Sequence, residues 1–63
     1  MARAKVLEAN CAPRWVVGLS GEVVKTYPDG AVDLRFSAED CRSTTFRVWS
    51  FEGDQVEMLP EGA

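Results

Sequence analysis

Residues 17–36 read VGLSGEVVKTYPDGAVDLRF, and this stretch decides the fold. At its centre stands Tyr27-Pro28-Asp29-Gly30. Proline at the second position of a turn pre-sets φ, the aspartate after it can bond back to the backbone, and glycine accepts the positive φ that closes a type I turn. Beyond the turn, apolar Val32, Leu34 and Phe36 alternate with Asp33 and Arg35, which is the period of a half-buried strand. Ahead of it, Gly18 and Gly21 bracket a turn into a strand over 22–27. There Val23, Lys25 and Tyr27 share one side while Val24 and Thr26 share the other, so apolar groups fall on both. A strand of that kind is twisted, bulged or covered on its outer side. A bent strand serving two parts of one core is the reading preferred.

Outward from the hairpin, Lys5-Val6-Leu7-Glu8 reads as a short first strand. Residues 9–14 form a loop punctuated by Asn10 and Pro13, and Trp15-Val16-Val17 packs as the chain approaches Gly18. The third strand covers 31–37, and 38–43 is a polar connection carrying Glu39 and Asp40. A fourth strand over 44–49 is rich in β-branched and aromatic residues, with Phe46 and Val48 expected inward and Thr45, Arg47 and Trp49 on the other side. Residues 50–54 suit one turn of 3₁₀ helix, 55–59 make a final short strand, and 1–4 and 60–63 are expected to fray. Nothing reaches the length of an ordinary α-helix. The sum is a single all-β domain over 1–63, a small five-stranded barrel with a 3₁₀ turn before the last strand, in which closure of the sheet hides its edges.

Composition narrows the function. A chain of 63 residues with 46% apolar content is one domain with a small core, burying about 60% of its unfolded surface. Ten acidic and seven basic side chains give a net charge of −3, which weighs against nucleic acid as a partner. The chain has no histidine, and with it go the commonest general base and the commonest metal ligand. A non-enzymatic protein without metal or cofactor is therefore expected. No apolar run approaches the roughly 20 residues that cross a bilayer, and Met1-Ala2-Arg3-Ala4-Lys5 has charge but no apolar stretch behind it, so a cytoplasmic location without membrane partners is expected. Cys11 and Cys41 then read as free thiols, although their loops are able to meet in a barrel.

Gly18-Leu19-Ser20-Gly21-Glu22-Val23-Val24 resembles the Gly-x-x-Gly-x-Val entry of KOW motifs, known in certain ribosomal proteins and transcription elongation factors. Over 18–59 the chain also resembles small SH3-like accessory subunits of photosynthetic electron transport. These are the E subunit of photosystem I, the S subunit of the photosynthetic NAD(P)H dehydrogenase-like complex, and the variable chain of ferredoxin–thioredoxin reductase. The pattern continues through Asp29-Gly30, Val32-Asp33-Leu34-Arg35-Phe36, Thr45-Phe46-Arg47-Val48 and Val56-Glu57-Met58-Leu59. Both resemblances imply an SH3-like barrel. The first implies a nucleic-acid module; the second implies an accessory module that docks on a larger complex through Arg35 and Arg47. The tetrameric type II dihydrofolate reductases share the architecture, and their late strand reads Val-Gln-Ile-Tyr where this chain has Phe46-Arg47-Val48-Trp49. The alternation agrees, but the glutamine and tyrosine are missing.

Two surfaces stand out as candidate binding sites. Trp49 and Arg47, with Arg35 on the neighbouring strand, combine aromatic area with directional donors. The plainer account folds Trp49 over the barrel end and pairs Arg47 with Asp33. Trp15 and Tyr27 form the rival patch, able to hold a peptide or stack bases, whereas the plainer account has Trp15 capping the core. Adjacent Glu39 and Asp40 read as a solvated loop rather than a catalytic carboxylate pair, and Arg3 and Lys5 as a solubilising terminus. Protein binding is thus the leading expectation, with a partner complex or a second copy of the chain as the target and KOW-like nucleic-acid binding as the alternative.

Overall fold

The computed structural model describes residues 2–10 and 12–60. Five strands form one antiparallel sheet: β1 (Arg3–Val6), β2 (Ser20–Thr26), β3 (Val32–Phe36), β4 (Arg47–Phe51) and β5 (Val56–Leu59), in the order β4-β3-β2-β1-β5. A single turn of α-helix, α1 (Ala38–Cys41), and two 3₁₀ turns, Arg14–Val16 and Gly53–Gln55, complete the described fold. The architecture is all-β with a 3₁₀ turn ahead of the last strand, as the sequence suggests, and it is compatible with an SH3-like fold.

The hairpin forms as its residues dictate. The Gly30 N–H donates to the Tyr27 carbonyl at 3.0 Å, the Ala31 N–H donates to Asp29 Oδ1 at 3.1 Å, and Gly30 sits at φ 94°. Within β2 the register to β3 slips between Val23 and Lys25, leaving Val24 as a bulge that explains the imperfect alternation. The first half of β2 is shared: Gly21 lies opposite Ala4 of β1, and Glu22 lies opposite both Arg3 of β1 and Arg35 of β3. One strand therefore joins both halves of the sheet.

Ala4, Val6, Val16, Val32, Leu34, Phe36, Phe51 and Val56 make the core. β3 supplies three of them at period two, and β1 supplies Ala4 and Val6. β1 begins at Arg3, two residues ahead of the expected start. Its pairing to both β2 and β5 sets that start, with Val6 opposite Val56 and Ala4 opposite Gly21 and Met58, and it leaves Leu7 exposed. At the other end Gln55 is buried, and its Oε1 accepts the Glu52 N–H at 2.9 Å, fixing the second 3₁₀ turn. The expected fraying at 60–63 lies, from 61 onward, outside the described residues.

The largest correction concerns β4. It runs over 47–51 rather than 44–49, and its inward side is the one expected to face out. Val32, Leu34 and Phe36 lie opposite Phe51, Trp49 and Arg47 respectively. Phe51 is 2% exposed, while Phe46 and Val48 are 54% and 43% exposed. Residues 38–42 explain the shift. Ser37 Oγ accepts the Asp40 N–H at 3.2 Å and caps α1, which ends at Arg42 in the left-handed region at φ 51°. That helical turn delays the strand, and aromatic packing fixes its phase: Phe36 meets Trp49 at 5.7 Å and Phe51 at 6.3 Å between ring centroids. A one-residue change of phase exchanges every side chain between the two faces. Full burial of Phe51, worth about 1.5–3 kcal/mol, outweighs that of the half-exposed Phe46.

Candidate functional site

The inversion of β4 rearranges the candidate residues. The sequence places Arg35, Asp33, Arg47 and Trp49 on one surface, but the register separates them. Arg35 and Asp33 lie opposite Val48 and Ser50 on the outer side of the sheet, whereas Arg47 and Trp49 lie opposite Phe36 and Leu34 on the core side. The expected Arg47–Asp33 pair is replaced by other partners for Asp33. Trp15 and Trp49, rival candidates in the sequence, come together instead.

The outer side is occupied by its own contacts. Asp33 accepts from Ser50 Oγ at 2.5 Å and from the Tyr27 hydroxyl at 2.9 Å. Those two donors, Ser50 first, stabilise the charged carboxylate and hold Asp33 below the usual carboxylate range, with Lys25 adding a smaller electrostatic push and desolvation opposing it. The same hydrogen bond raises the Tyr27 phenol, because an ionised oxygen would lose its acceptor and face the Asp33 charge, with desolvation acting the same way. Lys25 Nζ lies 5.0 Å from the centre of the Tyr27 ring. Arg35 pairs with Glu22 at 2.6 Å and lies 5.6 Å from the centre of the Phe46 ring. Arg3 donates to the Ser20 carbonyl at 3.0 Å.

The other surface is built by two connections. Between β1 and β2, Val16 is fully buried and anchors the first 3₁₀ turn, whose backbone closes through Val16 N–H to Pro13 O and Val17 N–H to Arg14 O. Gly18, at φ 90°, then returns the chain to β1 by donating to the Val6 carbonyl at 2.9 Å. With Val16 fixed inside, its neighbour Trp15 remains 45% exposed. Trp15 meets Trp49 edge to face, at 5.6 Å between centroids and 81° between planes, and Trp49 rests in turn on Phe36. Between β3 and β4, α1 brings Glu39, Asp40, Cys41 and Arg42 opposite Trp15 and Leu19, and the six residues line a cleft of about 510 Å³. The Cys41 thiol lies 3.8 Å from the Phe36 carbonyl. Its pairing with Cys11 concerns a residue outside the described ones.

Sequence reasoning missed Leu19, Glu39, Asp40 and Arg42 as neighbours of Trp15. One signal was present: Ser37-Ala38-Glu39-Asp40 fits the Ser-x-x-acid pattern of a helix start. It would have placed a helical turn there, and the two carboxylates beside a fixed loop.

The chemistry available at this cleft is recognition by aromatic area and carboxylates. Among the described residues no three His, Cys, Asp or Glu side chains group as a metal site, and no helix is long and apolar enough to cross a membrane. No family model, curated protein or solved structure matches the chain.

Proposed function

We propose that this chain is an SH3-like module that binds another protein and carries no catalytic activity of its own. One observation carries the reading: Trp15, nearly half exposed, is held in a T-shaped contact with Trp49 at the wall of the cleft. An exposed tryptophan held by a second aromatic is a pre-ordered contact, so little side-chain entropy is lost when a partner covers it. Apolar area flanked by polar and charged groups is the composition of a protein interface centre. The KOW-like alternative gains no comparable support: Arg35, its nearest candidate, is paired with Glu22 and lies over the Phe46 ring, Arg3 is bound to Ser20, and the net charge is −3.

The test is selection from a displayed random-peptide library on the immobilised protein, run in parallel on a Trp15→Ala variant whose fold is verified by amide NMR. Enrichment of peptides that the folded variant fails to retain supports the proposal. A selection that enriches nothing, or that enriches the same peptides on the variant, refutes it.

A further inference from the structure

Three aromatic rings on this molecule are at least a third exposed and lie beside charged residues, and they differ in what covers them. Tyr27 has Lys25 against its ring, and Phe46 has Arg35. Trp15, whose ring type attracts a cation most strongly, has none over it among the described residues. Carboxylates are distributed in a matching way. Among the described residues the ion pair is Arg35 with Glu22, in a second cleft on the outer side lined by Arg3, Glu22, Arg35, Ser37, Asp40 and Phe46, so that Asp40 stands between the two clefts. Glu39 and Asp40, in the lining of the Trp15 cleft, take no part in an ion pair. The helix start employs the Asp40 backbone N–H, not its carboxylate.

The charged groups facing the Trp15 cleft are thus two carboxylates and one guanidinium, Arg42, in a chain whose net charge is −3. An indole face beside carboxylates suits a cation: the ring quadrupole and the acids attract the same charge. An anion would be repelled by both, and a purely apolar side chain would desolvate the acids without replacing their hydrogen bonds. Resting on the protein-binding reading above, we infer that the cleft receives a lysine or arginine side chain of the partner protein. Trp15 supplies the stacking face, Glu39 and Asp40 accept the cation's N–H groups, and Arg42 opposes the ligand and sets a limit on its affinity.

The experiment titrates isotope-labelled protein with the acetylated, amidated peptide Gly-Gly-Arg-Gly-Gly and with its citrulline counterpart, which keeps the shape and loses the charge. The Trp15 indole N–H resonance and tryptophan fluorescence report binding. The arginine peptide is expected to move the Trp15 indole signal, and the citrulline peptide to bind roughly three- to tenfold more weakly. A Glu39→Gln/Asp40→Asn double variant should lose arginine-peptide affinity by a similar factor, and Arg42→Ala should gain it. Trp15→Phe, which keeps a ring against Trp49, should weaken binding without unfolding the chain. Equal affinity for the two peptides overturns the inference. So does the absence of any Trp15 shift at tens of millimolar peptide, or tighter binding after the carboxylates are removed. If the library selection yields peptides that depend on Trp15 but contain no lysine or arginine, the protein-binding reading stands and the cation inference falls.

Discussion

Replacing Gly21 by alanine should destabilise the fold by about 1–2 kcal/mol, although a single methyl group is the smallest side chain available. A Cβ at Gly21 would stand 3.0 Å from Leu34 Cβ, 3.1 Å from the Arg35 carbonyl oxygen and 3.2 Å from Phe36 Cε1. Carbon atoms prefer separations of about 3.5–4.0 Å, so each carbon contact is too short by several tenths of an ångström. All three neighbours belong to β3, which is paired on both sides, and both Leu34 and Phe36 are fully buried. Retreat would therefore move the centre of the sheet. Overpacking of this kind costs about 1–3 kcal/mol, offset by about 0.4–1 kcal/mol from the stiffer unfolded chain. At about 0.05–0.15 kcal/mol per residue the whole domain is stable by only about 3–9 kcal/mol, so the midpoint of thermal unfolding should fall by roughly 5–15 °C. Urea unfolding followed by tryptophan fluorescence, beside thermal circular dichroism, measures it. Gly18 provides the control, because a Cβ there meets nothing within 4 Å but φ is 90°. Gly18→Ala should cost about 1 kcal/mol through backbone strain alone, and Gly18→Asn less, since asparagine tolerates the left-handed region. At Gly21 the order should reverse, with asparagine worse than alanine. A Gly21→Ala protein as stable as the parent, or the same order at both positions, would refute the packing argument.

Phe46→Ser should change stability by less than about 1 kcal/mol, whereas Phe51→Ala should cost about 3–5 kcal/mol and leave much of the chain unfolded; a larger loss at Phe46 than at Phe51 in urea unfolding would mean that β4 has its sequence-expected phase after all. For Asp33, a folded value below the unfolded one means that its contribution is complete above the ordinary carboxylate range and is lost as pH falls through the lowered value. For Tyr27, a folded value above the unfolded one means that its contribution is complete below about pH 10 and is lost as pH rises through the raised value. Asp33→Asn should return the Tyr27 phenol toward its ordinary range in a carbon-detected NMR titration, and an unmoved titration would remove the hydrogen bond from the account. Trp49→Ala should cost about 3–5 kcal/mol, against about 1–2 kcal/mol for the half-exposed Trp15→Ala; the reverse order of unfolding midpoints would mean that Trp15, not Trp49, carries the core.

How much of this was legible in the sequence depends on what kind of information each element rests on. The hairpin at 27–30 is set by local chemistry, and Pro28, Asp29 and Gly30 state it in three consecutive residues. β3 is equally plain, because an unbulged strand with one face on the core alternates buried and outward residues, as Val32, Leu34 and Phe36 do. β4 was legible as a strand and illegible in phase. Its segment contains Phe46, Val48, Trp49 and Phe51, with apolar residues at both parities, so period two alone gives two answers. The choice is made by where α1 ends and by how Phe36 packs against Trp49 and Phe51, which are contacts between elements and not properties of the segment. The two glycines of the Gly-x-x-Gly entry were legible as a pair. Their separate reasons, a positive φ at Gly18 and a crowded Cβ at Gly21, belong to the folded chain.

The candidate site has the same origin as the error in β4. With Trp49 on the outer side of the sheet, as the sequence suggests, it would lie among Arg35 and Asp33 and be separated from Trp15 by the sheet itself. Turning β4 over places Trp49 against Phe36, where it becomes the link between core and surface, with one contact to a fully buried ring and one to a ring nearly half exposed. The two tryptophans come from connections that share no local sequence signal, 7–19 on one side and the strand after 37–46 on the other. Val16 holds the first connection by burial, and Ser37 holds the second by capping α1. Neither anchor lines the cleft, yet each positions one of its walls, Trp15 on one side and the carboxylates of α1 on the other. The geometry of the cleft is therefore set by residues that serve the fold, so the short capped helix, bland as sequence, matters more to the proposed recognition than Arg35 and Arg47 do.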